Sequence, residues 1–337
     1  MLATFGANAA GGIDRVAFSD ANIEALDWMS GLLVEVGFPP SADFAGNLIA
    51  TKPGSESGAS PIMLGSHVDS VPGGGNYDGQ IGSMAALEVA TTLADAGYTT
   101  RHPLEIAVFT NEETQEKKII FHPKMLPAIV ILDPVLTFQL PATLTAYTGM
   151  DALAHGLEAY CSPFFHPLSQ GIAVECISLV NKYLIKAFSN GKDLESRANM
   201  LVASSMGSTA FQKGLGAIHS LSHPVGAIYN THHGLTNAVF MPYVLKVNKS
   251  AIEEKIISLS RYLNLSNNDF NSFMDWILEL RKELGIPHTL KELIQDDSNL
   301  EKMSVMAFND PSTSGNPIKL DSQDFLELYK NSYDGII

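Results

Sequence analysis

The sequence predicts an α/β amino-terminal segment over residues 1–114, followed by an all-α metal-binding domain over residues 115–337. Three observations predict it. Composition changes near Thr114: before it the only lysine is Lys52, amid abundant Ala and Gly, and every other lysine follows it, with Ile, Asn and Tyr. A shift of this kind marks a domain boundary. Apolar runs read as alternating strand and helix before it, and recur every three or four residues after it. Histidines gather in the second segment at helical spacing. At 337 residues the chain has room for two cores.

In the first segment Ser19-Asp20 caps a helix running to about Val36, with Ile23, Leu26, Met29, Leu32 and Leu33 on one face. Asn47–Thr51 reads as a strand ended by Pro53-Gly54. Pro61–Gly65 is a short apolar strand, Ile81–Ala96 a helix and Leu104–Thr110 a further strand. Together these form a βαβ unit, expected to be parallel and right-handed. In the second segment the apolar spacing predicts helices over Asp151–Tyr160, Ser169–Phe188, Leu194–Phe211, Leu235–Val247 and Phe270–Leu284, the last stopped by Gly285-Ile286-Pro287. No internal repeat or low-complexity tract stands out.

The bulk numbers exclude several classes. A net charge of -15 argues against nucleic-acid binding, which needs clustered Lys and Arg to neutralise phosphates. Cys161 and Cys176 alone, without a CxxC spacing, suggest neither a disulfide framework nor a thiolate metal site. No apolar run is long enough to span a bilayer, and MLATFGANAAGG lacks a basic region followed by an apolar one. The expectation is an acidic, soluble, cytoplasmic protein.

The loop after the first strand of the βαβ unit is GSHVDSVPGGGNYDG, residues 65–79. Ligands gather outside the carboxyl ends of parallel strands. His67 and Asp78 lie there, and Glu112-Glu113 follow the next strand. One imidazole with carboxylates suits a divalent cation. Asp69 is placed to hold the other nitrogen of His67, and Glu112 to activate a water. A phosphate loop is the alternative, but the glycines fit neither GxGxxG nor GxxxxGK[ST]. An ordinary polar loop histidine is the plainer one; HxD followed by YDG and then NEE is more specific than that. These motifs, with AVFTNEE and GGIDRVAFSDAN, resemble the dinuclear-metal amidohydrolases of the N-carbamoyl-amino-acid hydrolase and allantoate amidohydrolase type, over residues 1–113. The resemblance implies that His67 and Glu113 are metal ligands, Asp78 bridges two metals and Glu112 is the general base. The family's later ligands and its HIEQGP-like segment have no counterpart here, so this site is expected to be incomplete.

In the second segment Asp151 and His155 share a helix face at i,i+4, as do His219 and His223, with His232 and His233 ten residues further on. Four of the ten histidines fall within residues 219–233, which is dense for mere surface residues of helices. One carboxylate with three imidazoles suits Fe2+ or Zn2+. TAYTGMDALAHGLEAY, GLGAIHSLSHPVGAIYNTHHGLTNAVFMPYVLKVN and FNDPSTSGNP resemble the iron-containing alcohol dehydrogenases, whose helical half is of the dehydroquinate synthase-like type, from about residue 107 to the end. That resemblance implies metal ligands Asp151, His155, His219 and His233, a non-ligand active-site histidine at His223, and no assigned role for His232. It also implies NAD(P) and a small alcohol or aldehyde as reactants.

Three functions follow. The first is iron-containing alcohol dehydrogenase-like hydride transfer, impaired because the family's dinucleotide-binding domain is replaced by residues of another fold. The second is hydrolysis of a carbamoyl or amide C–N bond at the His67 site. The third is a metal-binding fusion without catalysis. Each half leaves apolar surface made for an absent neighbour, so poor solubility, or a homo-oligomer joined through those faces, is expected. The stretch AVFTNEETQEKKII, residues 107–120, suits both families. Parallel pairing of Ala107–Thr110 with Pro61–Gly65 is expected, bringing Glu113 toward His67 and Asp78, rather than a hairpin with Lys118–Phe121.

Overall fold

Each expected strand and helix of the first segment forms, within a residue or two of its expected ends. The computed structural model describes residues 1–9, 12–71, 74–75, 77–112, 130–294 and 296–337. The chain divides into two compact units, Met1–Glu116 and Lys117–Ile337. Glu113 and the candidate hairpin partner Lys118–Phe121 lie outside the described residues.

Unit 1 contains a four-stranded sheet. In chain order its strands are β1 (Pro40–Ala42), β2 (Leu48–Lys52), β3 (Ile62–His67) and β4 (Leu104–Phe109), and their order across the sheet is β1-β2-β4-β3. Helices α1 (Asp20–Glu35) and α2 (Gln80–Asp95) complete it. Ser19 caps α1 by accepting from the Asn22 amide, so its helical start was legible as a Ser before an apolar stripe. β3 and β4 are parallel, with Gly65 opposite Ala107 and His67 opposite Phe109, while β2 runs antiparallel to β4. The short β1 had no sequence signal; Pro40-Ser41-Ala42 is too brief for alternation to show. Ala25, Met29 and Leu33 of α1, Ala86 and Ala90 of α2, and Ala50, Ile106 and Val108 of the sheet form the core.

Among the described residues unit 2 is helical throughout. Its helices are α3 (Ala142–Cys161), α4 (Pro167–Ser189), α5 (Leu194–Ala210), α6 (Ala217–Tyr229), α7 (His233–Tyr262), α8 (Phe270–Glu283), α9 (Leu300–Phe308) and α10 (Ser322–Asp334). Asp193, Asp269 and Asp321 cap α5, α8 and α10 through their carboxylates. Two helices outrun their expected ranges. α3 starts nine residues before Asp151: the buried stripe there is Thr145, Ala146, Gly149 and Met150, mostly small or polar side chains that give no apolar period to read. α7 runs on to Tyr262: the apolar spacing pauses at Asn248–Ser250 and resumes at Ile252, Ile256 and Leu259. α9 was not anticipated; its stripe is only Leu300, Met303 and Ala307. One continuous core joins these helices, from Met150 and Leu153 to Phe325 and Tyr329. Among the described residues no helix is long and apolar enough to cross a membrane.

Candidate metal centre

Three helices deliver the expected ligands of unit 2 to one place. α3 carries Asp151 and His155 one turn apart, α6 carries His219 and His223, and α7 opens on His233. Gly234 permits the approach of α7 to α3. A Cβ there would collide with the Tyr147 carbonyl and lie 3.0 Å from Asp151 Cβ. Donor atoms of Asp151, His155 and His219 all lie within 4.8 Å of one another. His233 Nε2 is 3.5 Å from Asp151 Oδ1, and His219 Nε2 is 3.9 Å from the same oxygen. His155 Nδ1 is 3.9 Å from Asp151 Oδ2. The rings of His155 and His219 stack at 4.8 Å.

Asn237, one turn after His233 on α7, sits against this set. Its Nδ2 lies 2.7 Å from Asp151 Oδ1, 3.0 Å from His233 Nε2 and 3.3 Å from His219 Nε2. An amide nitrogen only donates, and its two hydrogens serve at most two of these three atoms, the Asp151 carboxylate first; the donor atoms around it turn inward, as ligands of a cation would. The Asn237 carbonyl oxygen is buried without a hydrogen-bond partner among the described residues. The donor set therefore fits a divalent metal: one hard carboxylate and three imidazoles, without thiolate.

Burial on its own would raise the Asp151 carboxyl. The surrounding His155, His233 and His219 and the Asn237 amide outweigh it and hold the group below the usual carboxylate range. His219 is buried, and burial together with neighbouring His155 keeps its imidazole neutral, well below its ordinary pKa. Behind it stands Glu158, also buried, whose Oε2 is 2.6 Å from His219 Nδ1. Burial pushes the Glu158 carboxyl up to about 7, against the backbone donors of Gly216 and Ile218, which favour the carboxylate.

His223 is not part of the converging set. Its Nδ1 lies 2.7 Å from Asp310 Oδ2, and its ring stacks on His233 at 5.3 Å. Asp310 also accepts from the Ser312 amide and opens the 3-10 turn Pro311–Gly315. Burial works to raise the Asp310 carboxyl; the hydrogen bond and charge of His223 prevail and lower it. Thr313 of that turn donates to Ser220 on α6 at 2.8 Å, and Asn316 Oδ1 accepts from the Ala217 amide at 3.2 Å. His232 is the N-cap residue of α7, with its ring 5.1 Å from that of Tyr147.

Glu158, Asn237 and Asp310 were missed by sequence reasoning. Two of them carried a signal: Asp151, His155 and Glu158 run i, i+4, i+7 along one helix, and Asn237 is i+4 from His233. Asp310 carried none, since it is brought to His223 by the fold alone.

In unit 1, His67 ends β3 with its ring buried and its Nδ1 3.1 Å from the Asp69 backbone carbonyl and 3.6 Å from Asp69 Oδ1. Its Nε2 is 3.5 Å from Glu112 Oε2 and 3.9 Å from Asp78 Oδ1. Gly79, at φ 66°, closes over the ring, where any Cβ would collide with the imidazole. Thr110, just before the acidic pair, is held by Asn47 and Gly46 at 2.9 and 2.6 Å, which fixes where Glu112 leaves the sheet. Burial opposes protonation of His67, but the Asp69 hydrogen bond and the Glu112 charge prevail and raise its pKa to about 9. The structure thus brings together His67, Asp78 and Glu112, while Glu113 lies outside the described residues.

The helices thus bring histidines and one aspartate together as a candidate metal site in a helical domain. Residues 145–333 match the model of the Fe-containing alcohol dehydrogenase family, C-terminal, and residues 47–126 match that of Peptidase family M28. The 1,3-propanediol dehydrogenase of Citrobacter freundii is 33% identical over 276 residues, 76% of this chain and 70% of that protein. The NAD-dependent methanol dehydrogenase of Bacillus methanolicus is 33% identical over 74% of this chain and 66% of its own length. The crystal structure of an iron-containing alcohol dehydrogenase from Thermococcus thioreducens aligns with TM-score 0.60 and 30% identity, over 64% of this chain and 57% of that one. The chain belongs to the iron-containing alcohol dehydrogenase family. It spans about two thirds of the length of the curated relatives it matches, and its amino-terminal part carries the peptidase-type match instead.

Proposed function

We propose that unit 2 holds one divalent metal ion on Asp151, His155, His219 and His233, and that this centre serves hydride exchange between a small alcohol or aldehyde and NAD(P). The carrying observation is the convergence of donors from α3, α6 and α7 on Asp151. An Fe2+ or Zn2+ ion held by these four residues would supply Lewis acidity toward the alcohol or carbonyl oxygen. His219 and Asp151 hold their donor atoms inward before any ion arrives. His223, with Nδ1 tied to Asp310, has Nε2 left to take up or return the hydroxyl proton. Residues of the peptidase-type match occupy the amino-terminal part, so NAD(P) binding and turnover are expected to be weak beside the relatives.

Metal analysis of the purified chain tests this. About one Fe or Zn per chain is expected, lost in Asp151→Ala and His233→Ala and kept in His67→Ala. The reverse pattern would transfer the metal to unit 1 and end the proposal.

A second reading rests on His67, Asp78 and Glu112, with Glu112 Oε2 3.5 Å and Asp78 Oδ1 3.9 Å from His67 Nε2. There Glu112 would act as general base on a carbamoyl or amide C–N bond. Hydrolysis abolished by Glu112→Ala would establish it.

A further inference from the structure

Glu158 lies outside the proposed ligand set, yet it touches both the ligand His219 and the start of the helix that carries it. Helix α6 begins at Gly216 without a side-chain cap of its own. Its first amides are taken by residues from elsewhere: Glu158 Oε1 accepts from Ile218 N at 2.7 Å, and Asn316 Oδ1 from Ala217 N at 3.2 Å. The other oxygen of Glu158 meets His219 Nδ1 at 2.6 Å. One buried carboxylate thereby fixes both the helix end and the ring two residues into it.

The ring's tautomer follows from two contacts. At Nε2 the nearer neighbour is Asn237 Nδ2 at 3.3 Å, which only donates and is oriented by its 2.7 Å bond to the Asp151 carboxylate; Asp151 Oδ1 stands farther off, at 3.9 Å. The contacts at both nitrogens favour a lone pair on Nε2 and the imidazole proton on Nδ1, shared with Glu158. A neutral histidine that binds a cation through Nε2 needs the same tautomer.

We propose that Glu158 is the positioning residue of the metal centre: by accepting the Nδ1 proton of His219 it locks the tautomer that offers Nε2 to the metal. The proposal rests on the metal-centre reading given above. It assigns Glu158 a task distinct from capping α6, and the two tasks separate in Glu158→Gln. The glutamine carbonyl can still accept from Ile218, which keeps the cap. Its amide group then faces Nδ1 and donates to it, which moves the ring proton to Nε2.

Zn2+ affinity is measured on the full chain by competition with a chromogenic chelator, alongside the melting temperature of the metal-free protein. Glu158→Gln is expected to weaken Zn2+ binding 10- to 100-fold while melting close to the parent, and Glu158→Asp to recover part of the affinity. Affinity within twofold of the parent in Glu158→Gln would overturn the proposal, as would a loss of stability with no loss of affinity. Should the variant not fold, 15N NMR of the parent decides. The metal-free His219 ring, assigned by its disappearance in His219→Asn, is expected to show a protonated Nδ1 and an unprotonated Nε2. The opposite tautomer would overturn the proposal. Failure of the parent to bind Zn2+ would instead remove the metal centre, a result that the ring's tautomer does not share.

Discussion

At the scale of single residues, the two histidine clusters answer to different chemistry. His219 is kept neutral by burial, as a ligand must be. His67 is pushed the other way, to about 9, by the carboxylates of Asp69 and Glu112. An unfolded histidine titrates near 6.5, so the folded pKa is raised. The stabilisation from charged His67 is then complete below about pH 6.5 and is lost as pH rises through about 9. At most about 3 kcal/mol is at stake, less whatever solvent screens at the exposed Glu112. Urea unfolding of metal-free Trp276→Phe, followed by Trp28 in unit 1, should show that decline across the window. Adding Asp69→Asn should flatten it; an unchanged slope would remove Asp69 as the cause. Asp151 with His155, and His219 with His223, were legible as i,i+4 pairs, whereas the four-residue set that includes His233 came only with the family resemblance. Asp310 was not, since no local period links it to His223 across 87 residues.

Among the elements, the approach of α7 to α3 decides whether His233 meets Asp151. Gly234 is the contact point, and Gly234→Ala drives a methyl into the Tyr147 carbonyl. The helices must part, at a cost of about 1–3 kcal/mol, and Zn2+ affinity should fall with them. Gly171→Ala on α4 is the control: a Cβ there meets nothing within 4 Å, and the change should be neutral or stabilising by up to about 1 kcal/mol. Equal effects of the two on melting and metal uptake would show that crowding at Gly234 is unimportant. Helices with one wet face, such as α8 with Phe270, Phe273, Met274 and Ile277 buried, were legible in register. α3, whose first buried stripe is mostly small or polar, and interrupted α7 were legible in existence but not in extent, because periodicity reports a boundary only where polar and apolar faces differ.

For the whole molecule, the change of composition near Thr114 has a physical counterpart in two separate cores, one around Met29, Ile106 and Val108 and one around Leu153, Phe240 and Phe325. Each unit holds one tryptophan, Trp28 in α1 and Trp276 in α8. Separate cores predict separate cooperative transitions. The variants Trp276→Phe and Trp28→Phe, followed by fluorescence in urea, should give midpoints that differ. Coincident midpoints in both would mean that the two cores melt as one.

The Asn237 amide has a consequence for how fast the centre fills. Three of its neighbours already face a common point around an uncharged hydrogen-bond donor. Like a peg in a socket, the amide keeps the carboxylate and the two imidazoles from closing on one another. On the proposed metal-centre reading, exchanging the peg for an ion would ask for the turn of the Asn237 side chain and no rebuilding of helices. On that reading loading is expected to need local side-chain motion, on the timescale of a rotamer change rather than of folding.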